Sequence, residues 1–342
     1  LTDRKVRFPL AAATIFLLLA FAVTAWRLFS YAPAPVDPGW SVPAAPTVPA
    51  GAVTVRFTGT TTLLFSDGQT TWMTDGWFSR PGLLSLLFGE IEPDIAAIAS
   101  GLNANEVSEL AAVIPLHSHY DHAMDAPEIA RRTGALLLGS EATANIGRGW
   151  GLPESQIRIL RDREPVQLGA FTVTPIESRH FPYADEKMVH ELIDDWEISE
   201  PLVPPVPAFD YKLGKAYMLH VAHPKGRFLI VGSAGFIPGQ LEGMDVDLLF
   251  LGVGGLGSQT DEYRQSFWEE TAARVRAERI VPVHWDSLVG PIQGPFTGEV
   301  RIASFFSGNS EPLKAFLMEK AQTHPEITWQ VLPRYGPVVI FN

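Results

Sequence analysis

Three histidines and one aspartate stand within six residues in the run His117-Ser118-His119-Tyr120-Asp121-His122. Side chains of these two types can all donate a lone pair to a cation, and the spacing lets them do so together. At the end of a β-strand alternate residues point to one side, so His117 and His119 can hold a single ion between them. Asp121 and His122 then fall in a turn leading into a helix, from which they can face the opposite side of the same cleft. Imidazole and carboxylate donors suit one or two zinc ions, and they also accept iron or manganese. The chain has no cysteine, so thiolate ligands and disulfides are excluded, and any metal must be held by histidine and carboxylate.

The elements needed to position such a run are legible around it. An apolar stretch over 112–116 reads as a short strand running straight into His117. After the run, Asp125 can cap a helix, Pro127 and Glu128 suit its first turn, and Arg131 and Arg132 suit its last. Further strands are expected over 53–57, 62–66 and 70–74, with Asp67-Gly68 as a hairpin turn between the last two. Others are expected over 136–138, 171–176, 227–231, 247–252 and 280–283, with a long helix over 260–279 and a final one over 310–321. This interleaving of strand and helix predicts a layered α/β domain rather than an all-β sandwich. His180 and His284 each follow one of the apolar strands.

At 342 residues the chain can bury a large core, and its 46% hydrophobic and 19% charged residues are those of a globular protein. The net charge of −12 argues against a nucleic-acid partner, which needs a basic face. Residues 8–26 carry no charge and follow Arg4, Lys5 and Arg7. Such a stretch is just long enough to cross a hydrocarbon core of about 30 Å, with the cationic flank inside. The expectation is a membrane anchor over 1–30 with the catalytic domain on the periplasmic side; secretion after cleavage near Val23-Thr24-Ala25 is the alternative. The Pro/Ala-rich stretch 31–50 reads as a semi-rigid spacer, and the folded domain as 51–342.

The run matches the HxHxDH motif of the metallo-β-lactamase superfamily, and the chain resembles that family over roughly 53–342. Supporting motifs occur in the same order: Thr74-Asp75-Gly76-Trp77, Glu177-Ser178-Arg179-His180, Val231-Gly232-Ser233-Ala234-Gly235 and Pro282-Val283-His284-Trp285. The branch looks similar to bacterial members related to ascorbate-lactonase-like and phospholipase-D-like groups. The resemblance implies a four-layer αββα sandwich with His117, His119 and His180 on a first metal and Asp121, His122 and His284 on a second. Asp75 takes the place of an acid that orients a ligand imidazole. Ser233 stands where two-metal members carry a bridging aspartate, so the second ion is expected to bind more weakly.

The activity implied is hydrolysis of an ester-type bond (a phosphodiester, a lactone or another ester) in a small-molecule or lipid-like substrate. The metal supplies hydroxide near neutral pH, and Asp121 orients the attacking water. Two other readings follow from the same residues: an iron-dependent oxidoreductase, and a single-metal or degenerate binding module tethered to a membrane. After His180, the acidic stretch 181–209 has apolar residues at helical spacing from Met188 to Trp196, which reads as a packed amphipathic helix or a lid. The apolar stretch 77–91 can form the facing wall or lean on a membrane.

Overall fold

The computed structural model describes residues 3–182, 197–303 and 310–342, with side chains from residue 13 onward. Its strands are β1 (Val53–Gly59), β2 (Thr62–Ser66), β3 (Thr71–Thr74), β4 (Glu90–Ile91), β5 (Ala112–Ile114), β6 (Leu136–Gly139), β7 (Ile157–Ile159) and β8 (Val166–Leu168). They continue as β9 (Phe171–Ser178), β10 (Val206–Pro207), β11 (Ala216–His223), β12 (Gly226–Val231), β13 (Leu248–Gly252), β14 (Arg279–Val283), β15 (Thr328–Trp329) and β16 (Val338–Phe341). The helices used below are α1 (Asp3–Phe29), α2 (Leu83–Phe88), α3 (Ile95–Ala104), α4 (Tyr120–Ala123) and α5 (Ala126–Thr133). After them come α6 (Glu141–Gly149), α7 (Asp261–Glu270), α8 (Ala272–Val275) and α9 (Ser310–Thr323).

Two seven-stranded sheets form, in the orders β16-β1-β2-β3-β5-β6-β7 and β15-β14-β13-β12-β11-β9-β8. Strand alternation lets the first sheet serve two cores. Phe65 and Trp72 face the second sheet, where Phe65 lies 4.7 Å from both Trp72 and Phe228 and meets Phe250 edge-on at 5.3 Å. Their neighbours Leu64 and Met73 face the other way and pack with Ile98, Leu102 and Ile129 from α3 and α5. On the second sheet, Leu249 and Leu251 alternate with Phe250 and share a cluster with Phe267, Trp268, Val275 and Leu317 of α7, α8 and α9. The layers are therefore helix, sheet, sheet, helix, as the layered α/β reading expects.

Strand direction gathers the chemistry. β3 and β5 run parallel, as do β12, β13 and β14, and β9 is antiparallel to β11, which is antiparallel to β12. Asp75, the histidine run, His180, Ser233 and His284 thus all follow the C-terminal ends of strands that open on one edge of the sandwich.

Several expectations need correction. The stretch 260–279 is not one helix: Thr271, fully buried, donates its hydroxyl to the Phe267 carbonyl, and its backbone leaves the helical region at φ −117° and ψ −87°. β5 ends at Ile114, so His117 and His119 sit in the loop beyond it and converge by loop geometry, not by strand alternation. The Pro/Ala-rich stretch is extended but lies along the domain. Trp40 stacks on Trp329 at 4.9 Å, Val36 is buried, and the Val42 and Ala45 amides donate to the Val331 and Pro337 carbonyls. The expected span 8–26 falls within α1, yet among the described residues no helix is long and apolar enough to cross a membrane. The amphipathic element expected over 188–196 lies outside the described residues.

Candidate metal centre

The loop after β5 is held from three sides before any ligand is placed. Ser118 donates its amide to the Leu213 carbonyl, and its hydroxyl sits 3.0 Å from Ser140 Oγ and 2.9 Å from Thr143 Oγ1. With Ser118 turned into the protein, its neighbours His117 and His119 turn to the cleft. His119 caps the short helix α4, whose first turn carries Asp121 and His122.

Two triads result. In the first, His117 Nε2 lies 3.1 Å from His119 Nδ1, and the His180 ring stands 5.1 and 4.9 Å from those two rings. In the second, Asp121 Oδ2 is 3.3 Å from both His122 Nε2 and His284 Nε2, which are 3.2 Å from each other. Within each triad one donor atom per residue lies within 4.8 Å of the other two. The triads touch, since the His117 and His122 ring centroids are 3.8 Å apart.

Burial and neighbouring charge set the protonation of these groups. Burial, reinforced by the adjacent imidazoles, holds His117 well below the ordinary histidine range. Burial likewise brings His119 down to about 4 and His180 well down. All three are neutral at pH 7, with lone pairs available. Burial alone lowers His122 as well, but the carboxylates of Asp75 and Asp121 outweigh it and hold its pKa up at about 10. Burial tends to raise Asp121, yet His122 and His284 pull it well below the usual carboxylate range.

In the first triad three neutral imidazoles bring donor atoms to one point, an arrangement that a cation completes. His119 turns Nδ1 to this point, while its buried Nε2, on the other side of the ring, has no hydrogen-bond partner among the described residues. In the second, Asp75 and Asp121 hold a proton on His122, and the same negative charge would favour a cation in that proton's place, so the donor set of each triad fits a metal ion.

Supporting groups orient the second triad. Asp75 is fully buried, with φ of 54°, and its Oδ2 is 2.8 Å from His122 Nδ1. The Leu116 amide donates to its Oδ1 at 2.9 Å, and the Thr61 hydroxyl donates to Oδ2. With Nδ1–H directed at Asp75, His122 presents Nε2 to the cleft. His284 is held through its backbone: at φ 60° its amide donates to the Thr60 carbonyl at 2.6 Å. The Thr60 amide donates in turn to Asp286 Oδ1 at 2.6 Å, and Asp286 pairs with Arg80. Gly254 leaves room for the His284 ring; a β-carbon there would meet it at 2.5 Å.

Ser233 lies beside the first triad, against the residue that follows His180. Its Oγ accepts the Phe181 amide at 3.3 Å, next to the His180 ring, which packs 4.1 Å from the Phe181 ring. Among the described residues no carboxylate belongs to both triads. Thr60, Thr61 and Phe181 were missed by the sequence reading. The hydroxyl-rich turn Thr58-Gly59-Thr60-Thr61-Thr62 between two strands was the available signal, since such a turn rarely needs four threonines. Of the other histidines, His223 pairs with Asp67 at 3.5 Å and His324 with Glu326 at 3.2 Å, far along the chain from either triad.

Comparison with known proteins agrees with this geometry. A family model described as a beta-lactamase superfamily domain matches residues 93–285, which contain all six triad residues and Ser233. No curated protein matches the chain. Among solved structures, Igni18, a metallohydrolase of the archaeon Ignicoccus hospitalis, is 14% identical with a TM-score of 0.51, covering 84% of this chain and 97% of its own. An isothiocyanate hydrolase from Delia radicum gut bacteria is 17% identical with a TM-score of 0.50, covering 84% and 99%. A possible metal-dependent hydrolase of Veillonella parvula is 14% identical with a TM-score of 0.50, covering 85% and 100%. These likenesses concern the fold; the family match spans more than half the chain and all six triad residues, and the chain belongs to the beta-lactamase superfamily of metal-dependent hydrolases.

Proposed function

We propose that the chain hydrolyses an ester-type bond: a phosphodiester, a lactone or another ester. The observation that carries this reading is the meeting of two donor triads, with the ionised Asp121 at their junction. When bound, the metal supplies water that is acidic near neutral pH and polarises the bond under attack. Zinc is the metal we favour for a donor set of five imidazoles and one carboxylate, and iron or manganese suits the same donors.

The protein's own contribution is position. Asp121, too acidic to keep a proton at pH 7, accepts a hydrogen bond from the attacking water at Oδ and so fixes its direction. Asp75 and Thr61 hold the His122 ring. Phe181, half-buried, presents apolar surface beside the first triad, and the buried Trp77 backs Tyr120 of the metal-binding run at 5.6 Å. Ser233 favours a second, narrower reading within the same class: one tightly held ion at His117, His119 and His180, and a weaker one at Asp121, His122 and His284.

The test is metal analysis of the purified full chain, followed by turnover of activated phosphodiesters, lactones and acyl esters with and without added zinc. Hydrolysis in one of these classes, lost on chelation, is expected. A fully loaded protein that turns over none of them refutes the reading. We further propose that the domain works on the non-cytoplasmic side of a membrane, on the strength of Arg4, Lys5 and Arg7 ahead of the apolar run.

A further inference from the structure

The stretch 181–209 and the stretch 77–91 are physically joined. β10 pairs antiparallel with β4, with Val206 opposite Ile91 and Pro207 opposite Glu90. The underside of this ribbon is buried: Trp77, Leu86, Ile91, Ala208 and Tyr211 pack with Ala123 and Met124, directly after the metal-binding run. On its outer side the ribbon exposes Glu90 and Pro207, and beside them apolar side chains protrude. Phe88 is 84% exposed and Leu84, one helical turn earlier on the same face of α2, is 66% exposed. Phe209 follows Pro207 by two residues as Phe88 precedes Glu90 by two, so both aromatic rings belong to the same end of the ribbon. Neither 81–89 nor 201–209 contains a charged residue. In a chain of net charge −12, two facing uncharged strips with protruding Leu and Phe mark a surface made for an apolar partner.

What that partner is follows from the neighbouring element. α1 shows Ile15, Phe16, Leu17, Leu18, Phe21 and Trp26 at 58–73% exposure, around its whole circumference. A helix apolar on all sides is covered by a protein core or by lipid, and the described domain does not cover this one. Its root is tied to the ribbon's side of the molecule. Tyr31 bridges to Val300 and the Ala32 amide donates to the Glu299 carbonyl. Val289 of the same loop packs on the ribbon's buried cluster, and Trp77 Nε1 donates to the Leu288 carbonyl at 2.9 Å.

We propose that Leu84, Phe88 and Phe209 form an insertion ridge that docks on a lipid surface, setting the mouth of the metal centre against the bilayer from which α1 is held. The docking stands independently of the chemistry. Its consequence for substrate, an ester drawn from the lipid phase, rests on the hydrolase reading above.

The absence of native cysteine makes the test direct. Full-length Phe88→Cys carries an environment-sensitive nitrobenzoxadiazole dye, and Ile159→Cys, exposed on β7, carries it as the control. On adding phosphatidylcholine vesicles, a blue shift and a several-fold rise in emission are expected at position 88 and not at 159. In the labelled Phe88→Cys background, Phe209→Asp is expected to reduce the response several-fold. No response at 88 in vesicle-bound protein, an equal response at 159, or insensitivity to Phe209→Asp overturns the proposal. So does a response that rises with protein concentration without vesicles, which identifies a second copy as the occupant. None of these readouts depends on turnover, so a lipid-docked but inactive protein refutes only the hydrolase reading.

Discussion

Replacing Asp75 by Asn tests how the second triad is built. The carboxylate is fully buried and accepts three hydrogen bonds, from Leu116 N–H, from Thr61 Oγ1–H and, at 2.8 Å, from His122 Nδ1. An amide keeps the shape but has one accepting oxygen, so at least one of the buried donors loses its partner or faces an N–H. The protein should lose about 1–3 kcal/mol of stability, the usual cost of a buried group left unsatisfied. The more telling effect is on metal. His122 is the ligand Asp75 orients, and losing such a partner typically costs about 10–100-fold in affinity, or roughly 1.4–2.7 kcal/mol. The loss should fall on one binding step only, because no member of the His117, His119 and His180 triad touches Asp75. Zinc titration against a competing chelator resolves the two steps: the weaker should shift by one to two orders of magnitude while the tighter stays put. Equal weakening of both steps, or none, would falsify the assignment of Asp75 to His122.

Other perturbations probe separate parts of the structure. Ser233→Asp should raise the zinc content of the protein toward two ions by mass spectrometry; an unchanged stoichiometry refutes the view that the missing carboxylate limits the second site. Asp121→Asn should lower turnover on the order of 10²–10⁴-fold with the tighter ion retained, and a variant that keeps full activity ends the case for Asp121 as the water-orienting group. Burial raises Asp125 from 3.8 to about 6, against the opposing hydrogen bonds from Phe78 and Ser79. Its stabilising contribution is complete below pH 3.8 and lost as pH rises through about 6, an effect on the order of 2–3 kcal/mol. Denaturant midpoints between pH 4 and 7 should show this slope in the parent and a flatter one in Asp125→Asn; identical slopes count against it.

Much of this was readable from sequence because the decisive signals were local. The spacing of His117, His119, Asp121 and His122 survives any loop geometry that turns Ser118 inward, and the Phe65 and Trp72 alternation needs only a strand. The α/β layering followed from the same kind of evidence. What escaped depends on contacts distant in sequence. Thr60 and Thr61 matter because β1 and β2 bring their turn under His284 and Asp75, residues far along the chain. The break at Thr271 is a hydroxyl choosing a carbonyl one turn back, which helix propensity does not reveal. The spacer reading failed because prolines suggest extension but not what an extended segment lies on; Trp329, which Trp40 stacks against, is almost three hundred residues away. The β4–β10 ribbon is two residues long on each side, too short for any pattern to register.

Each triad takes ligands from both sheets: His117 and His119 from the β5 loop with His180 after β9, and Asp121 and His122 from the β5 loop with His284 after β14. His122 and His284 are separated by 162 residues. A cation held there is therefore a reversible cross-link closing a very long loop, and in polymer terms it removes far more freedom from the unfolded chain than a local clip does. Mass action adds about 4 kcal/mol of stability at a free-ion concentration a thousand times the dissociation constant. The centre thus acts as a rivet between the two halves of the sandwich, and the melting temperature should follow free zinc even in variants that have lost every trace of turnover.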